Sequence, residues 1–246
     1  GFGSLIAGMT SSFVQMSEKR NRSKKDELKL RTFMVQHRIP GKLRAEVWSY
    51  ARASKKARTR KLQLSEIRLL QGLPKPIFQD ICIEICLPTL SQHPLLRCCR
   101  VVCPRLMKKL AAEALSEDAL GIGAELFLAG EDANEMYFIT EGKLWYNFMT
   151  SDTTGSFILD SVGSVMKLEV APDTDFSWAC ELALFVKWKH RGKMEASEIS
   201  FLIKINALEF SNIMHREVVV HKYVRALLDF LSENPEQASD VISADT

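Results

Sequence analysis

Gly121 to Phe148 reads GIGAELFLAGEDANEMYFITEGKLWYNF, and the spacing of its breaks decides the fold. Glycines stand at 121, 123, 130 and 142, with Asp132 and Asn134 between them. The gaps hold short apolar runs: Leu126-Phe127-Leu128, Met136-Tyr137-Phe138-Ile139 and Leu144-Trp145-Tyr146. Runs this short, bounded by Gly, Asp and Asn, make strands and tight turns, because a helix needs a longer apolar period. The stretch therefore predicts antiparallel β-structure with turns at Gly130 and Gly142.

Downstream, Phe157-Ile158-Leu159 and Val165 to Val170 lie among Thr, Ser, Asp and Gly and should complete the sheets. A helical turn is expected near Glu181–Val186, and Phe201-Leu202-Ile203-Lys204-Ile205-Asn206 reads as the last strand. Phe210, Ile213, Met214, Val218, Tyr223, Leu227, Leu228 and Leu231 then recur at the helical period, which predicts one helix over 207–232. Pro235 and the polar tail ASDVISADT read as the end of ordered structure.

Upstream the signal changes to helices. Leu28, Leu30, Phe33 and Met34 lead to a break at Ile39-Pro40-Gly41, after which Leu43, Val47, Tyr50 and Ala51 resume helical spacing. Ser65 is suited to cap a helix that ends at Gly72. Pro76 suits a first helical turn, Ile77, Phe78, Ile81 and Ile85 form an apolar face, and Pro88 is expected to stop that helix. Leu106, Leu110 and Leu115 continue a helix through CPRLMKKLAAEAL. The fold class is α+β: an all-helical linker region followed by an antiparallel, jelly-roll-like β-roll flanked by helices.

The chain of 246 residues is 46% hydrophobic and 26% charged, an ordinary globular composition. Its net charge of +3 hides an asymmetry. Residues 1–110 carry 23 Lys/Arg against 7 Asp/Glu, and residues 111–200 carry 6 against 16. Of 6 cysteines, Cys82, Cys86, Cys98, Cys99 and Cys103 fall close together with His93 among them. Their spacing fits no zinc pattern, so reduced, mostly buried thiols are expected and no metal site is assigned. No signal peptide is visible, and a chain that begins at Gly1 rather than Met is expected to be a fragment.

Two stretches carry a family resemblance. GEDANEMYFITEGKL resembles the β-roll core of cyclic-nucleotide-binding domains. LLQGLPKPIFQDICIEICLPTLSQHPLL, with its step His93-Pro94-Leu95-Leu96, resembles the C-linker of cyclic-nucleotide-gated and related voltage-gated potassium channels. The apolar start GFGSLIAGMTSSFVQM, followed by SEKRNRSKK, resembles the cytoplasmic end of the pore-lining helix of such channels, where Lys and Arg gather on the cytoplasmic side. The resemblance implies four parts. Residues 1–16 would end the pore-lining transmembrane helix, 17–95 form the C-linker, 96–235 form the nucleotide-binding-like domain, and 236–246 form a disordered tail. It also implies a tetramer, homo- or heteromeric, of channel subunits on the cytoplasmic side of a membrane. Lys19, Arg20, Arg22, Lys24, Lys25, Lys55, Lys56, Arg58, Arg60 and Lys61 would then face anionic lipid. A solvated charged face is the competing reading of these residues, and no nucleic-acid recognition motif accompanies them.

The segment FSWACELALFVKWKHRGKMEA matches the family's ligand cassette unevenly. Glu181 corresponds to the carboxylate that accepts from the ribose, and Leu182 to the apolar turn behind it. Cys180 stands where the family has a Gly that lets backbone approach the ligand. Arg191 lies one position beyond the phosphate-binding Arg, and Gly192 follows in place of Thr or Ser. Cyclic AMP or cyclic GMP is the ligand the family implies, and these departures predict weak binding or none. Salt-bridged or capping roles for Glu181 and a surface role for Arg191 are the alternatives. A soluble cyclic-nucleotide sensor or regulatory subunit is the other functional class. A transcription regulator of that kind would need a helix-turn-helix after residue 232, where a polar tail stands. No catalytic constellation stands out, and His37, His93, His190, His215 and His221 are scattered, so no enzyme is expected.

Overall fold

The computed structural model describes residues 25, 27–60, 64, 67–149, 165–174 and 176–242. The chain divides into two compact units, Gly1–Ala51 and Arg52–Thr246. In the first unit, helix α1 (27–36) ends in a turn where Arg38 adopts a left-handed backbone, φ 51°. The amides of His37, Arg38 and Ile39 there close onto the carbonyls of Phe33, Val35 and Met34. Helix α2 (Gly41–Arg60) starts directly after Pro40, so the elbow falls where Ile39-Pro40-Gly41 predicted it. The stretch expected to end a pore-lining helix, 1–16, lies outside the described residues. So do Lys19, Arg20, Arg22, Lys24 and Lys61, and the side chains of Lys55, Lys56, Arg58 and Arg60. Among the described residues no helix is long and apolar enough to cross a membrane.

The second unit opens with helices. They are α3 (Arg68–Gln71), α4 (Lys75–Leu90), α5 (Pro94–Val102) and α6 (Pro104–Glu113). Pro76, Pro94 and Pro104 each sit in a first turn, where the missing N–H costs nothing. Three expectations need correction. Helix α6 ends at Glu113, so Leu115, read as continuing it, lies beyond it. Gly72 closes α3 in a right-handed conformation, φ −89°, rather than the left-handed one that glycine is usually needed for. Pro88 does not stop α4; it lies in the final turn, and the helix continues to Leu90. That close to the end, a proline forfeits a single ladder hydrogen bond.

Among the described residues ten strands follow: β1 (Leu115–Leu120), β2 (Glu125–Phe127), β3 (Asp132–Ala133), β4 (Glu135–Glu141), β5 (Leu144–Met149), β6 (Val165–Val170), β7 (Trp178–Ala179), β8 (Trp188–Lys189), β9 (Gly192–Ala196) and β10 (Ser200–Asn206). One sheet runs β1-β10-β4-β7, a second β2-β9-β5-β6, and β3 pairs with β8. Every pairing is antiparallel. The fold is thus α+β with an antiparallel roll, as the glycine-punctuated stretch predicts. The segment Phe157-Ile158-Leu159 lies outside the described residues.

The run Met136-Tyr137-Phe138-Ile139 explains how roll and helices share a core. All four residues of β4 are buried, because successive side chains point to opposite faces and both faces are covered. Met136 and Phe138 join Ile203 and Ile205 of β10 in a cluster with Leu90, Leu95, Leu96 and Leu110 of the helices. Tyr137, Ile139 and Leu202 instead face the interior of the roll, with Leu144, Tyr146 and Met194. The first sheet is therefore the wall between the two cores.

Gly130 and Gly142 both have positive φ, 88° and 86°. Gly142 also has no room for a side chain: a Cβ there would lie 2.5 Å from Ser200 Oγ and 2.6 Å from the Ile199 carbonyl. Gly142→Ala combines backbone strain with a clash against a neighbouring strand. It should cost about 1–3 kcal/mol of unfolding free energy. Urea denaturation checks this, and a loss under about 0.5 kcal/mol, the size of a neutral surface change, would contradict the turn geometry.

After the roll, the single helix expected over 207–232 is two: α7 (Ala207–Met214) and α8 (Val218–Glu233). Asn206 caps α7 by accepting from the Glu209 amide. The break at His215–Glu217 re-aims the chain, so that Phe210, Ile213 and Met214 of α7 and Val220 of α8 reach the same cluster. The tail expected to be disordered from residue 236 is also corrected. Pro235–Gln237 form a 3-10 turn, and Asp240, Val241 and Ile242 are buried.

Candidate functional site

The tail enters the roll at the cassette. Cys180 precedes the 3-10 turn Glu181–Leu184 and has a left-handed backbone, φ 63°. This conformation is uncommon outside Gly, Asn and Asp, and it turns the Cys180 amide toward the tail, where it donates to the Asp240 carbonyl. Val241 packs into the interior of the roll, and Ile242 packs with Leu182 and Leu231.

The Asp240 carboxylate is 1% exposed and ringed by donors. Its Oδ2 accepts from the Arg191 amide at 2.7 Å, the Gly192 amide at 3.1 Å and the Tyr146 hydroxyl at 2.8 Å. Its Oδ1 accepts from Trp188 Nε1 at 2.8 Å and lies 3.0 Å from His190 Nδ1. Burial alone would push this carboxyl up, but the hydrogen bonds from His190, Trp188, Tyr146 and the Arg191 amide outweigh it. They hold the group below the usual Asp range, ionised inside the protein. Gly192 lets β9 lie close against β5: a Cβ there would meet the Asn147 carbonyl at 2.5 Å and the Tyr146 ring at 2.6 Å.

The residues singled out in the cassette therefore divide. Cys180, Leu182 and Arg191 all border the tail. Arg191 does so through its backbone, while its guanidinium is placed over the Trp188 ring at 5.1 Å. Glu181 turns the other way, into the core shared with the helices. Its Oε1 accepts from Tyr223 of α8 at 2.6 Å and lies 3.1 Å from His93 Nε2, at the start of α5. The His93 contact is electrostatic, since neither ring nitrogen is aligned for a hydrogen bond, although the imidazole is fully buried. Burial pushes the Glu181 carboxyl up, but His93 and the Tyr223 hydroxyl more than offset that, so it stays below the usual Glu range.

The cysteine group near His93 is a packing feature. Cys82, Cys86 and Cys99 are buried, and burial pushes the thiols of Cys86 and Cys99 up to about 12. These sulfurs are protonated and inert at neutral pH.

Sequence reading missed Asp240, Tyr146, Trp188 and His190 as a site, and His93 with Tyr223 as the partners of Glu181. One signal was present: the apolar pair Val241-Ile242 interrupts an otherwise polar tail and gives it something to bury.

No family model matches the chain, and no curated protein matches it. Among solved structures, it is similar to the N-terminal domain of a transcriptional regulator from Streptomyces coelicolor A3(2), with a TM-score of 0.45 and 22% identity. That match covers 60% of this chain and 93% of the other.

Proposed function

We propose that this chain is the cytoplasmic gating region of a tetrameric potassium or cation channel whose β-roll is occupied by the chain's own C-terminal tail instead of a cyclic nucleotide. The observation that carries the reading is the Asp240 carboxylate, buried at the cassette on the amides of Arg191 and Gly192. A ligand phosphate would require just such an array of donors, and the tail already takes them. The order of elements supports the same reading, with helices resembling a C-linker, then the roll, then closing helices.

In this reading the tail has two states, docked and released, and it works by contacts that differ between them. The cassette is suited to report the difference. Cys180 holds the tail through its amide, and the next residue, Glu181, holds His93 and Tyr223. Tail release would loosen the cassette and with it the tie to the helices that precede the roll.

Titration calorimetry on the 246-residue chain and on a form ending at Ala238 tests the occupancy. No heat from cyclic AMP or cyclic GMP is expected with the full chain. Micromolar binding to the full chain, abolished by Arg191→Ala, would replace this reading with a nucleotide-gated one. Light scattering on the same preparations tests the assembly: mass should rise toward a tetramer with concentration, and a strict monomer counts against a channel subunit.

A further inference from the structure

The donors to Asp240 leave one feature unexplained. His190 Nδ1 lies 3.0 Å from Asp240 Oδ1 and 3.5 Å from Cys180 Sγ, and Sγ lies 3.9 Å from Oδ1. A ring nitrogen has one in-plane direction, carrying either one proton or one lone pair, so it cannot bond well to both neighbours. Oδ1 already accepts from Trp188 Nε1. The thiol lies within sulfur hydrogen-bond reach of both Nδ1 and Oδ1, so the three groups compete for one set of protons. One thiol, one imidazole and one carboxylate, all buried, converge there, and this is the grouping of His, Cys and acidic side chains with ligand spacing among the described residues.

We infer that Cys180, His190 and Asp240 form a zinc site that clasps the C-terminal tail inside the roll. Zinc bonds of about 2.0–2.3 Å to O, N and S place tetrahedral ligand atoms about 3.3–3.6 Å apart. The three separations lie within a few tenths of an ångström of that range. A thiolate, an imidazole and a carboxylate suit zinc better than the hard cations magnesium or calcium, which take oxygen sets.

The surroundings are built as metal sites are. The His190 ring is stacked on Phe127, with centroids 3.8 Å apart and planes 7° apart, which fixes its direction. Its backbone is pinned on both sides, donating to the Glu131 carbonyl and accepting from the Gly130 amide. Tyr146, Trp188 and the amides of Arg191 and Gly192 hold the carboxylate. Such outer partners orient the ligands and tune their affinity. Binding would take the proton from Cys180 Sγ to solvent and place the His190 proton on Nε2, with the Nδ1 lone pair on the metal. Water or a further ligand would fill the fourth position.

Two ligands come from the roll and the third from the tail, so metal would enter with the tail out and be covered as it docks. The inference rests on the docked tail, not on the channel reading, and metal binding is measured independently of nucleotide or assembly.

The probe is cobalt(II), added to the chelator-treated 246-residue chain. One equivalent should produce tetrahedral visible bands and a thiolate-to-cobalt charge-transfer band. Cys180→Ser should abolish the charge-transfer band, and Asp240→Asn should weaken binding about a hundredfold or more. Tyr146→Phe, which removes one hydrogen bond to the carboxylate, should weaken it about 10- to 100-fold. Cys98→Ser, at an exposed thiol, should change nothing. Circular dichroism confirms that each variant is folded, and if Cys180→Ser is not, Asp240→Asn decides. No charge-transfer band, or one that survives in folded Cys180→Ser or undiminished in Asp240→Asn, overturns the site.

Discussion

Asp240→Ala is expected to lower the stability of the chain by about 2–4 kcal/mol and to free the tail from the roll. Hydrogen bonds to a charged group contribute about 1.5–3 kcal/mol each, and this carboxylate accepts from Tyr146, Trp188 and the amides of Arg191 and Gly192. Their sum overstates the loss, because the tail can leave and let water reach the abandoned donors. The cost is then capped by the free energy of docking, which includes burying Val241 and Ile242 at about 1.5–3 kcal/mol each, less the entropy of ordering the tail. Urea denaturation gives the stability, and hydrogen exchange at the Cys180 and Gly192 amides reports the release. Both amides bond to Asp240 in the wild type, so both should exchange faster in the variant. Unchanged protection at both would mean that the carboxylate does not hold the tail.

Glu181→Ala should cost more, about 3–5 kcal/mol, because it strands two buried polar groups at about 1–3 kcal/mol each. The fully buried His93 would lose the carboxylate 3.1 Å from its Nε2, and the Tyr223 hydroxyl would lose its acceptor. The imidazole is boxed in by rings, with Trp178 at 5.0 Å, Tyr223 at 5.7 Å and Phe138 at 6.2 Å between centroids, so water cannot easily replace the carboxylate. A double-mutant cycle separates the pair from its surroundings. If the cost comes from stranding His93, then His93→Leu with Glu181→Leu should be far less damaging than Glu181→Leu alone, because an apolar pair of similar volume needs no partner. Equal losses in the single and double variants would mean that Glu181 matters for packing alone.

These two carboxylates show where the sequence was readable. Glu181 stands out in the sequence as either a ribose-binding carboxylate or a salt-bridged one, and the structure pairs it with His93 and Tyr223. Which way it faced depended on the left-handed turn at Cys180, which a cysteine does not advertise as a glycine would. Asp240 was passed over because Ser, Asp and Ala around it look like a solvated tail. Its donors are scattered from Tyr146 to Gly192, and no local pattern links them to residue 240.

The strands and turns of 121–148 could be read from the chain alone, because a two-residue period and glycine turns are local properties. The elbow at Pro40, the opening of a helix at Pro76 and the final strand were legible for the same reason. Local rules failed where packing overrode them: Pro88 was tolerated in a last turn, and the helix over 207–232 broke so that both halves could reach one cluster. The occupant of the roll was decided by tertiary structure alone. A buried carboxylate is stable only when several donors converge on it, and convergence between residues up to 94 positions apart is a property of the folded chain.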